Sequence, residues 1–272
     1  MTSKKFYDIK QPSFKQRETE RNKLSKIFVK KYGNPILAHA VDNEESFMKI
    51  LKQGMLKIPK EHTSPKKFLY MERLLGIDNS IFLSLGFVYY VDYKLKYNLI
   101  FDIDLLREAD FYKRPLPFKC YRKIVDYWYK EDKKYLNKVM KSSKKVGEII
   151  GYYIEQVKSG AKVRPLRYWE AEKEFYEAIM RYPKRNKLIR KAKEMKKELL
   201  LKWPYSKRNA RMKYLKNDCP EIIYHKSINL LEHPAFLGFF IEGKISKQMR
   251  AILEKKYKGK ILFDGKKMEV MG

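Results

Sequence analysis

The sequence predicts an α+β fold, in which strands near both ends of the chain flank a long helical middle. Hydrophobic residues make up 44% and aromatic residues 14% of the 272 residues, enough to build a real core. Apolar side chains recur at helical intervals from about Tyr121 to Leu201, whereas shorter apolar runs precede and follow that stretch. Strands and helices that are segregated along the chain are typical of α+β proteins. We expect a basic helical segment over residues 1–34, followed by a single domain over 35–272 with a helical insertion at about 121–205.

The N-terminal elements have clear start and stop signals. Pro35 forces an extended backbone before a strand at Ile36–Val41. Asp42 is expected to cap the following helix, Glu45 completes a capping box, and Gly54 ends the helix. The other elements predicted here are a helix at Thr19–Lys31, a short helix at Lys67–Leu75, and strands at Ser80–Leu85 and Asn98–Ile103.

The middle and the end of the chain differ in pattern. Apolar positions spaced by three and four residues predict helices at Tyr121–Tyr129, Lys133–Lys141, Val146–Lys158 and Trp169–Leu201, the last broken at Pro183. The closing segment predicts strands at Glu221–Ser227, Phe236–Ile241, Lys260–Phe263 and Lys267–Val270. A helix capped by Ser246 lies between the second and third of these strands, and Asp264-Gly265 forms the last turn.

The charge of the chain is strongly one-sided. Lys and Arg number 62 against 32 Asp and Glu, which gives a formal net charge of +30. Such an excess destabilises a compact chain by self-repulsion, so a polyanionic partner is expected, with DNA or RNA first. The two cysteines, Cys120 and Cys219, have no metal-site spacing. We therefore expect no metal. We also see no apolar leader and no apolar run long enough for a membrane span, and expect a cytoplasmic protein.

Three polar residues lie on separate predicted strands: His39, Ser84 and Glu221. Taken singly, each has an ordinary structural explanation. A histidine on an apolar strand is by default a hydrogen-bonded core residue, and a glutamate at a strand start can be a charge that discourages edge pairing. Their order along the chain and their strand and helix surroundings together indicate a site.

These motifs resemble the core of histidine-type ADP-ribosyltransferases, closest to DarT-like toxins that modify nucleic acid. The matching segments are Ile-Leu-Ala-His-Ala with its capped helix, Ile-Phe-Leu-Ser-Leu, Leu-Ile-Phe-Asp-Ile-Asp-Leu-Leu and Pro-Glu-Ile-Ile-Tyr. The resemblance covers somewhat under half of the chain. It implies split central β-sheets, NAD as a substrate, and action as a toxin or antiphage effector with an antitoxin as a further partner. It also implies that Glu221 is catalytic and that the NAD-binding residues are His39, Ala40, Ser84 and Arg211.

The chemistry of the reaction independently requires residues of these types. Breaking the nicotinamide–ribose bond is a glycosyl transfer with an oxocarbenium-like transition state. A carboxylate beside the ribose stabilises the developing positive charge and can accept a proton from the nucleophile. A histidine can hold a ribose hydroxyl and so orient the sugar. Because the leaving group is already cationic, one glutamate suffices.

A basic segment between Arg181 and Lys216 is the predicted nucleic-acid surface. It holds fifteen Lys and Arg against two Glu, too one-sided to be neutralised by helical ion pairs. Aromatic side chains among basic ones suit stacking on unpaired bases, so single-stranded nucleic acid is the favoured target. The residues assigned to this surface are Lys202, Trp203, Lys207, Arg208, Lys213 and Tyr214.

Other functions stay open from the sequence. A non-catalytic nucleic-acid-binding protein would need only the basic surface, and an RNA 2′-phosphotransferase-like enzyme would also consume NAD. A nuclease would need a cluster of metal ligands, which the sequence does not offer. Glu170 and Glu174 lie one helical turn apart but are interspersed with lysines, which favours a solvated helix face. The sequence does not choose between DNA and RNA, and it leaves open whether Arg208 and Arg211 contact NAD or nucleic acid.

Overall fold

The computed structural model divides the chain into two compact units. Unit 1 comprises Met1–Lys57, Ile81–Ala109 and Trp203–Gly272, and unit 2 comprises Ile58–Ser80 and Asp110–Lys202. The predicted helical insertion, about 121–205, overlaps unit 2, which also includes earlier residues. The structure describes residues 14–34, 36–41, 43–61, 70–86, 96–112, 116–159, 169–201 and 221–272.

Unit 1 is built on a mixed β-sheet. Its helices are α1 (Phe14–Tyr32), α2 (Glu44–Gln53) and α9 (Lys247–Lys256). Its sheet strands are β1 (Ile36–Val41), β3 (Ile81–Leu85), β4 (Tyr97–Asp102), β7 (Glu221–Tyr224), β9 (Phe236–Ile241), β10 (Ile261–Phe263) and β11 (Met268–Val270). They lie in the order β11-β10-β9-β4-β1-β3-β7, and β9 with β10 forms a parallel pair. Two short strands, β2 (Met55–Leu56) and β8 (Ile228–Asn229), pair separately.

Apolar side chains from α1 cover one face of this sheet. Phe28 is fully buried against a cluster that includes Ile36, Ala38 and Phe263. The Tyr32 hydroxyl donates to Asp102 Oδ2 at 2.8 Å, which ties the end of α1 to the end of β4. The helix predicted at Thr19–Lys31 is therefore part of the core of unit 1.

The opposite face of the sheet packs against α2 and α9. Phe47 of α2 stacks on Tyr97 of β4, and Tyr257, just after α9, meets Phe239 of β9 edge to face. The Tyr257 hydroxyl donates to the Leu51 carbonyl at 3.0 Å and joins the two helices. Both faces of the sheet thus bury aromatic and aliphatic side chains.

Unit 2 is mainly helical. Its elements are α3 (Tyr70–Leu75), β5 (Asp110–Tyr112), α4 (Leu116–Glu131), α5 (Lys133–Ser142), α6 (Lys144–Ser159), α7 (Trp169–Arg181), α8 (Arg185–Leu199) and β6 (Leu200–Leu201). The two strands form a short antiparallel pair. Trp128 and Phe175 are fully buried in the helical core, which also encloses the carboxylates of Glu72 and Glu172.

Most element predictions are confirmed, with shifted ends. α7 ends at Arg181 and α8 begins at Arg185, so the predicted break at Pro183 is correct. Gly54 ends α2 at φ 70, and Ser246 caps α9 by accepting from Met249 N–H.

Two predictions need correction. Asp42, the expected cap of α2, lies outside the described residues, and the cap is Asn43, whose Oδ1 accepts from Ser46 N–H at 2.8 Å. The expected pair of split sheets is a continuous run of strands in unit 1, because β1 hydrogen-bonds to both β3 and β4.

Candidate functional site

Ser84 and Glu221 are direct neighbours across two paired strands. β3 and β7 are antiparallel, and their register sets Ser84 opposite Glu221 and Leu83 opposite Ile222. Side chains at opposed positions of an antiparallel pair lie on the same face of the sheet, with Cβ atoms about 4.5–5.5 Å apart. Both residues are partly exposed. The structure therefore brings the predicted serine and carboxylate together as the last pair at one end of the β3–β7 ladder.

The sheet forks immediately beside this pair. β1 and β3 share only the pairs Leu37 with Leu85 and Ala38 with Ser84, although β1 continues to Val41. In contrast, β1 pairs with β4 along its whole length, and β3 pairs with β7 from Ile81 to Ser84. Because both outer ladders continue, the separation is confined to the space between β1 and β3.

His39 lies at the fork. Its Nδ1 is 2.8 Å from the carbonyl oxygen of Phe82, beyond the last pair that β1 and β3 share. A carbonyl oxygen can only accept, so Nδ1 must carry a proton, and in the neutral ring Nε2 is then an acceptor. The hydrogen bond to β3 fixes both the tautomer and the orientation of the ring.

Alternation along β1 directs His39 and Ser84 to different faces. Ala38 is opposite Ser84, and consecutive residues of a strand point to opposite sides, so His39 leaves β1 on the other side from Ser84 and Glu221. Ala40 returns to the Ser84 side, where it is partly exposed. The three predicted strand residues thus reach the fork from two faces rather than from one.

The end of β3 holds the Ser84 hydroxyl. Ser84 Oγ donates to the Gly86 carbonyl at 2.9 Å and lies 3.4 Å from the Ala38 carbonyl. Gly86 has φ 75, and a Cβ at this position would lie 2.7 Å from Ser25 Oγ. A glycine is therefore required for the turn that positions this hydroxyl. The hydroxyl oxygen retains its lone pairs for accepting.

The fork can serve one kind of chemistry well. It offers a carboxylate and a hydroxyl on one face and an imidazole on the other, on three adjacent strands, where the pairing of β1 with β3 stops. A carboxylate beside a hydroxyl suits stabilisation of a cationic centre on a sugar, and the imidazole Nε2 suits a sugar hydroxyl. Within the described ranges, no group of three or more His, Cys, Asp or Glu could hold a metal ion.

The other predicted site residues lie outside the described residues. These are Arg211 of the cofactor set and Lys202, Trp203, Lys207, Arg208, Lys213 and Tyr214 of the nucleic-acid set. The described part of the basic segment is residues 181–201, most of which form α8, whose exposed side chains include Arg190, Lys193 and Lys197. Glu174 is exposed, as a solvated face requires, whereas its neighbour Glu172 is fully buried.

Sequence reasoning missed the fork itself and the bond from His39 to Phe82. No local signal encodes either, because both depend on where pairing between β1 and β3 stops. It also missed the buried carboxylates of unit 2, which a strictly charge-based pattern treats as surface.

Among the described residues, no helix is long and apolar enough to cross a membrane. Comparisons with protein-family models, with curated proteins and with solved structures give no match for this chain.

Proposed function

We propose that the chain is an NAD-dependent mono-ADP-ribosyltransferase that modifies nucleic acid. The observation that carries this proposal is the register pair of Ser84 and Glu221 beside a fork at which His39 is held in a fixed tautomer. The same three residues carry the sequence resemblance to ADP-ribosyltransferases. Their chain order and their adjacent strands support an NAD site at the fork, with His39 on one face of the sheet and Ser84 and Glu221 on the other.

The residues at the fork fit NAD in chemical type. Glu221 is partly exposed, so its carboxylate can approach a ligand without first leaving a core position. His39 is held by the contact of its Nδ1 with the Phe82 carbonyl, and an imidazole in this tautomer has the chemistry to accept from a ribose hydroxyl through Nε2. Ser84 offers a hydroxyl that suits the carboxamide of nicotinamide, and Ala40 follows His39 with a partly exposed position. NAD supplies the activated ribose and a leaving group that is already positively charged.

The proposed reaction breaks one bond and forms another at the same ribose carbon. The bond from ribose C1′ to the nicotinamide nitrogen breaks, and its electron pair neutralises the ring as nicotinamide leaves. A nucleophile on the nucleic acid donates an electron pair to C1′, and its proton passes to the Glu221 carboxylate or to water. Glu221 stabilises the positive charge on the ribose in between, an electrostatic role that is often worth about 3 kcal/mol or more.

The acceptor is assigned to nucleic acid on charge. The +30 net charge and the basic segment before β7 favour a polyanion, and single strands expose bases without the free energy needed to flip them from a duplex. Action as a toxin or antiphage effector follows from the resemblance alone, as does an antitoxin partner.

The direct test is incubation with NAD labelled in its adenylate part. Separate pools contain single-stranded DNA, duplex DNA, RNA and protein, and the expected result is label in a nucleic-acid pool that survives washing. Label on protein alone would change the acceptor class. Label on none, together with no NAD binding by calorimetry at millimolar concentration, would favour the non-catalytic binding protein, for which the basic α8 is sufficient.

An RNA 2′-phosphotransferase-like enzyme is separated by the same assay. It would act only on RNA that carries a 2′-phosphate, and the label would leave the RNA rather than remain on it. Offering one RNA with and without this phosphate distinguishes the two activities.

A further inference from the structure

Helix α8 has one buried side and a broad basic side. Leu188, Ala192 and Met195 are buried and attach the helix to the core of unit 2. Seven of the remaining residues are Lys or Arg, against two Glu, within a helix of 15 residues. A solvated helix face ordinarily carries side chains of both charges, so the excess of positive side chains on α8 indicates a negatively charged partner.

Two lysines of α8 converge on one aromatic ring. Lys187 Nζ lies 5.4 Å and Lys191 Nζ 5.3 Å from the centroid of Tyr127, which belongs to α4. The two residues are four apart, so they occupy adjacent turns of one face, where like charges destabilise a helix by about 0.2–0.5 kcal/mol. The ring's negative face offsets part of this repulsion. An anion between the two ammonium groups would offset it further.

Two carboxylates of unit 2 have partners other than these lysines. Asp132 Oδ1 accepts from Tyr135 N–H, and Asp132 Oδ2 accepts from the Tyr182 hydroxyl at 3.2 Å. Glu194 forms an ion pair with Arg190 at 3.7 Å. Within the part of the chain that the structure describes, neither Lys187 nor Lys191 forms an ion pair with a carboxylate.

A second row of cations continues along the helix. Arg190, Lys193 and Lys197 are spaced by three and four residues, so they share one exposed face. At 1.5 Å per residue the row extends over about 10 Å. A flexible chain of phosphates can contact such a row at successive positions.

We propose that the exposed face of α8 binds the sugar–phosphate backbone of nucleic acid, with one phosphate held between Lys187 and Lys191 above Tyr127. This face belongs to the basic segment between Arg181 and Lys216 and precedes the residues assigned to nucleic acid from the sequence, which begin at Lys202. The proposal deepens the function proposed above and depends on it only for the identity of the polyanion. Binding through α8 does not require that the fork bind NAD.

The test is a matched pair of double variants in the full chain. Lys187→Gln with Lys191→Gln removes two charges from the converging pair. Lys134→Gln with Lys138→Gln is the control, because these lysines are also four apart and in unit 2; both are exposed, as Lys187 is, whereas Lys191 is half-buried. Both variants change the net charge equally. Binding of a fluorescein-labelled oligothymidylate is measured by anisotropy over a range of salt concentrations.

The converging pair is expected to matter and the control pair is not. Each lost phosphate contact reduces the steepness of log K against log salt by about 0.7 on single strands, so the first variant, which loses the one phosphate held between the two lysines, should lose about 0.7. Lys187→Arg with Lys191→Arg keeps the charges and should retain the wild-type slope. Urea denaturation shows whether each variant is folded.

Three outcomes would overturn the proposal. One is an equal loss of slope in the two Gln variants, since that would show a response to net charge alone. Another is an unchanged slope in the Lys187 and Lys191 variant. The third is competition by polyglutamate as strong as by unlabelled oligothymidylate at equal charge. If neither the wild type nor any variant consumed NAD, while the salt dependence still differed between the two Gln variants as expected, the transferase proposal would be contradicted. The proposal for α8 would still hold.

Discussion

The two units arrange their polar residues by different physical means. In unit 1 the candidate residues come from positions 39, 84 and 221, and only strand register makes them neighbours. In unit 2 the basic row of α8 comes from one helix, where a spacing of three and four residues suffices. Chemistry that needs several groups at one point thus depends on long-range pairing, whereas a charged binding face depends on local periodicity.

The difference extends to how each part tolerates change. The sheet of unit 1 holds backbone atoms close to one another, so a Cβ added to a glycine at a close contact between strands should lower the stability. The exposed side of α8 has no such constraint, and substitutions there should change charge with little effect on folding. Four substitutions in unit 1 test how far this contrast goes.

The largest effect is expected from Gly238→Ala. Gly238 has φ 151, and a Cβ would lie 1.9 Å from the Ile261 carbonyl oxygen in the β9–β10 pair. We expect a loss of about 4 kcal/mol or more in the free energy of unfolding, measured by urea denaturation. Gly243→Ala is the control, because its φ of 99 is strained but nothing lies within 4 Å, and about 1–2 kcal/mol is expected. Equal losses would show that backbone strain, rather than the close approach of β10, limits this position.

Glu221→Gln should reduce the transfer rate by about 10²- to 10³-fold or more. The exchange preserves the size of the side chain and removes the charge that stabilises the oxocarbenium-like transition state. Release of nicotinamide from NAD is the measurement. Glu45→Gln, at an exposed position on α2, is the control and should keep the wild-type rate. Wild-type turnover by the Glu221 variant would remove this residue from the mechanism.

His39→Ala should weaken NAD binding more than it weakens folding. It removes the hydrogen bond to Phe82, which is worth about 1 kcal/mol in stability, and it removes the Nε2 acceptor. Calorimetric titration with NAD and urea denaturation give the two quantities separately. A loss of stability with unchanged NAD affinity would make His39 a purely structural residue of the fork.

The smallest effect is a pH dependence at Tyr257. Burial raises the pKa of Tyr257 to about 12 from its ordinary value of 10.0. The folded state therefore favours the protonated hydroxyl. The stability that the protonated Tyr257 contributes is fully present below pH 10 and is lost as the pH rises towards 12. Tyr257→Phe should lower stability by about 1 kcal/mol at neutral pH, since the Leu51 carbonyl loses its donor.

The pH profiles of the two proteins check this prediction. Between about pH 10 and 12, stability should fall less steeply in Tyr257→Phe than in the wild type. Burial and the bond to Glu108 also raise the pKa of Tyr224 to about 12, and this residue contributes equally to both profiles. Parallel profiles would show that Tyr257 titrates alike in the folded and unfolded chains.

Much of the fold could be predicted because its signals are local. Gly54 and Ser246 mark helix ends through their own backbone and side-chain preferences, and Pro183 breaks a helix by removing a donor. The cap of α2 was misplaced by one residue, because Asp42 and Asn43 both favour that role. The short strands β2, β5, β6 and β8 carry too few residues for a periodic pattern.

The candidate site could be predicted only in part. Residue types and chain order were enough to select His39, Ser84 and Glu221. They did not say that Ser84 and Glu221 would share a face while His39 leaves β1 on the other, since a shift of one residue in register reverses the faces. They also gave no sign that Lys187 and Lys191 would meet at Tyr127, because α4 and α8 are brought together by packing.

The sequence by itself determined the α+β class, the positions of most helices and strands, and the excess of positive charge. These follow from apolar periodicity, capping residues and composition, each of which acts over a few residues. The tertiary structure alone decided the strand order, the fork between β1 and β3, the hydrogen bond that sets the tautomer of His39, and the burial of Glu72 and Glu172. These features arise from contacts between residues far apart in the chain, and the free energy of such contacts is set by how whole elements pack.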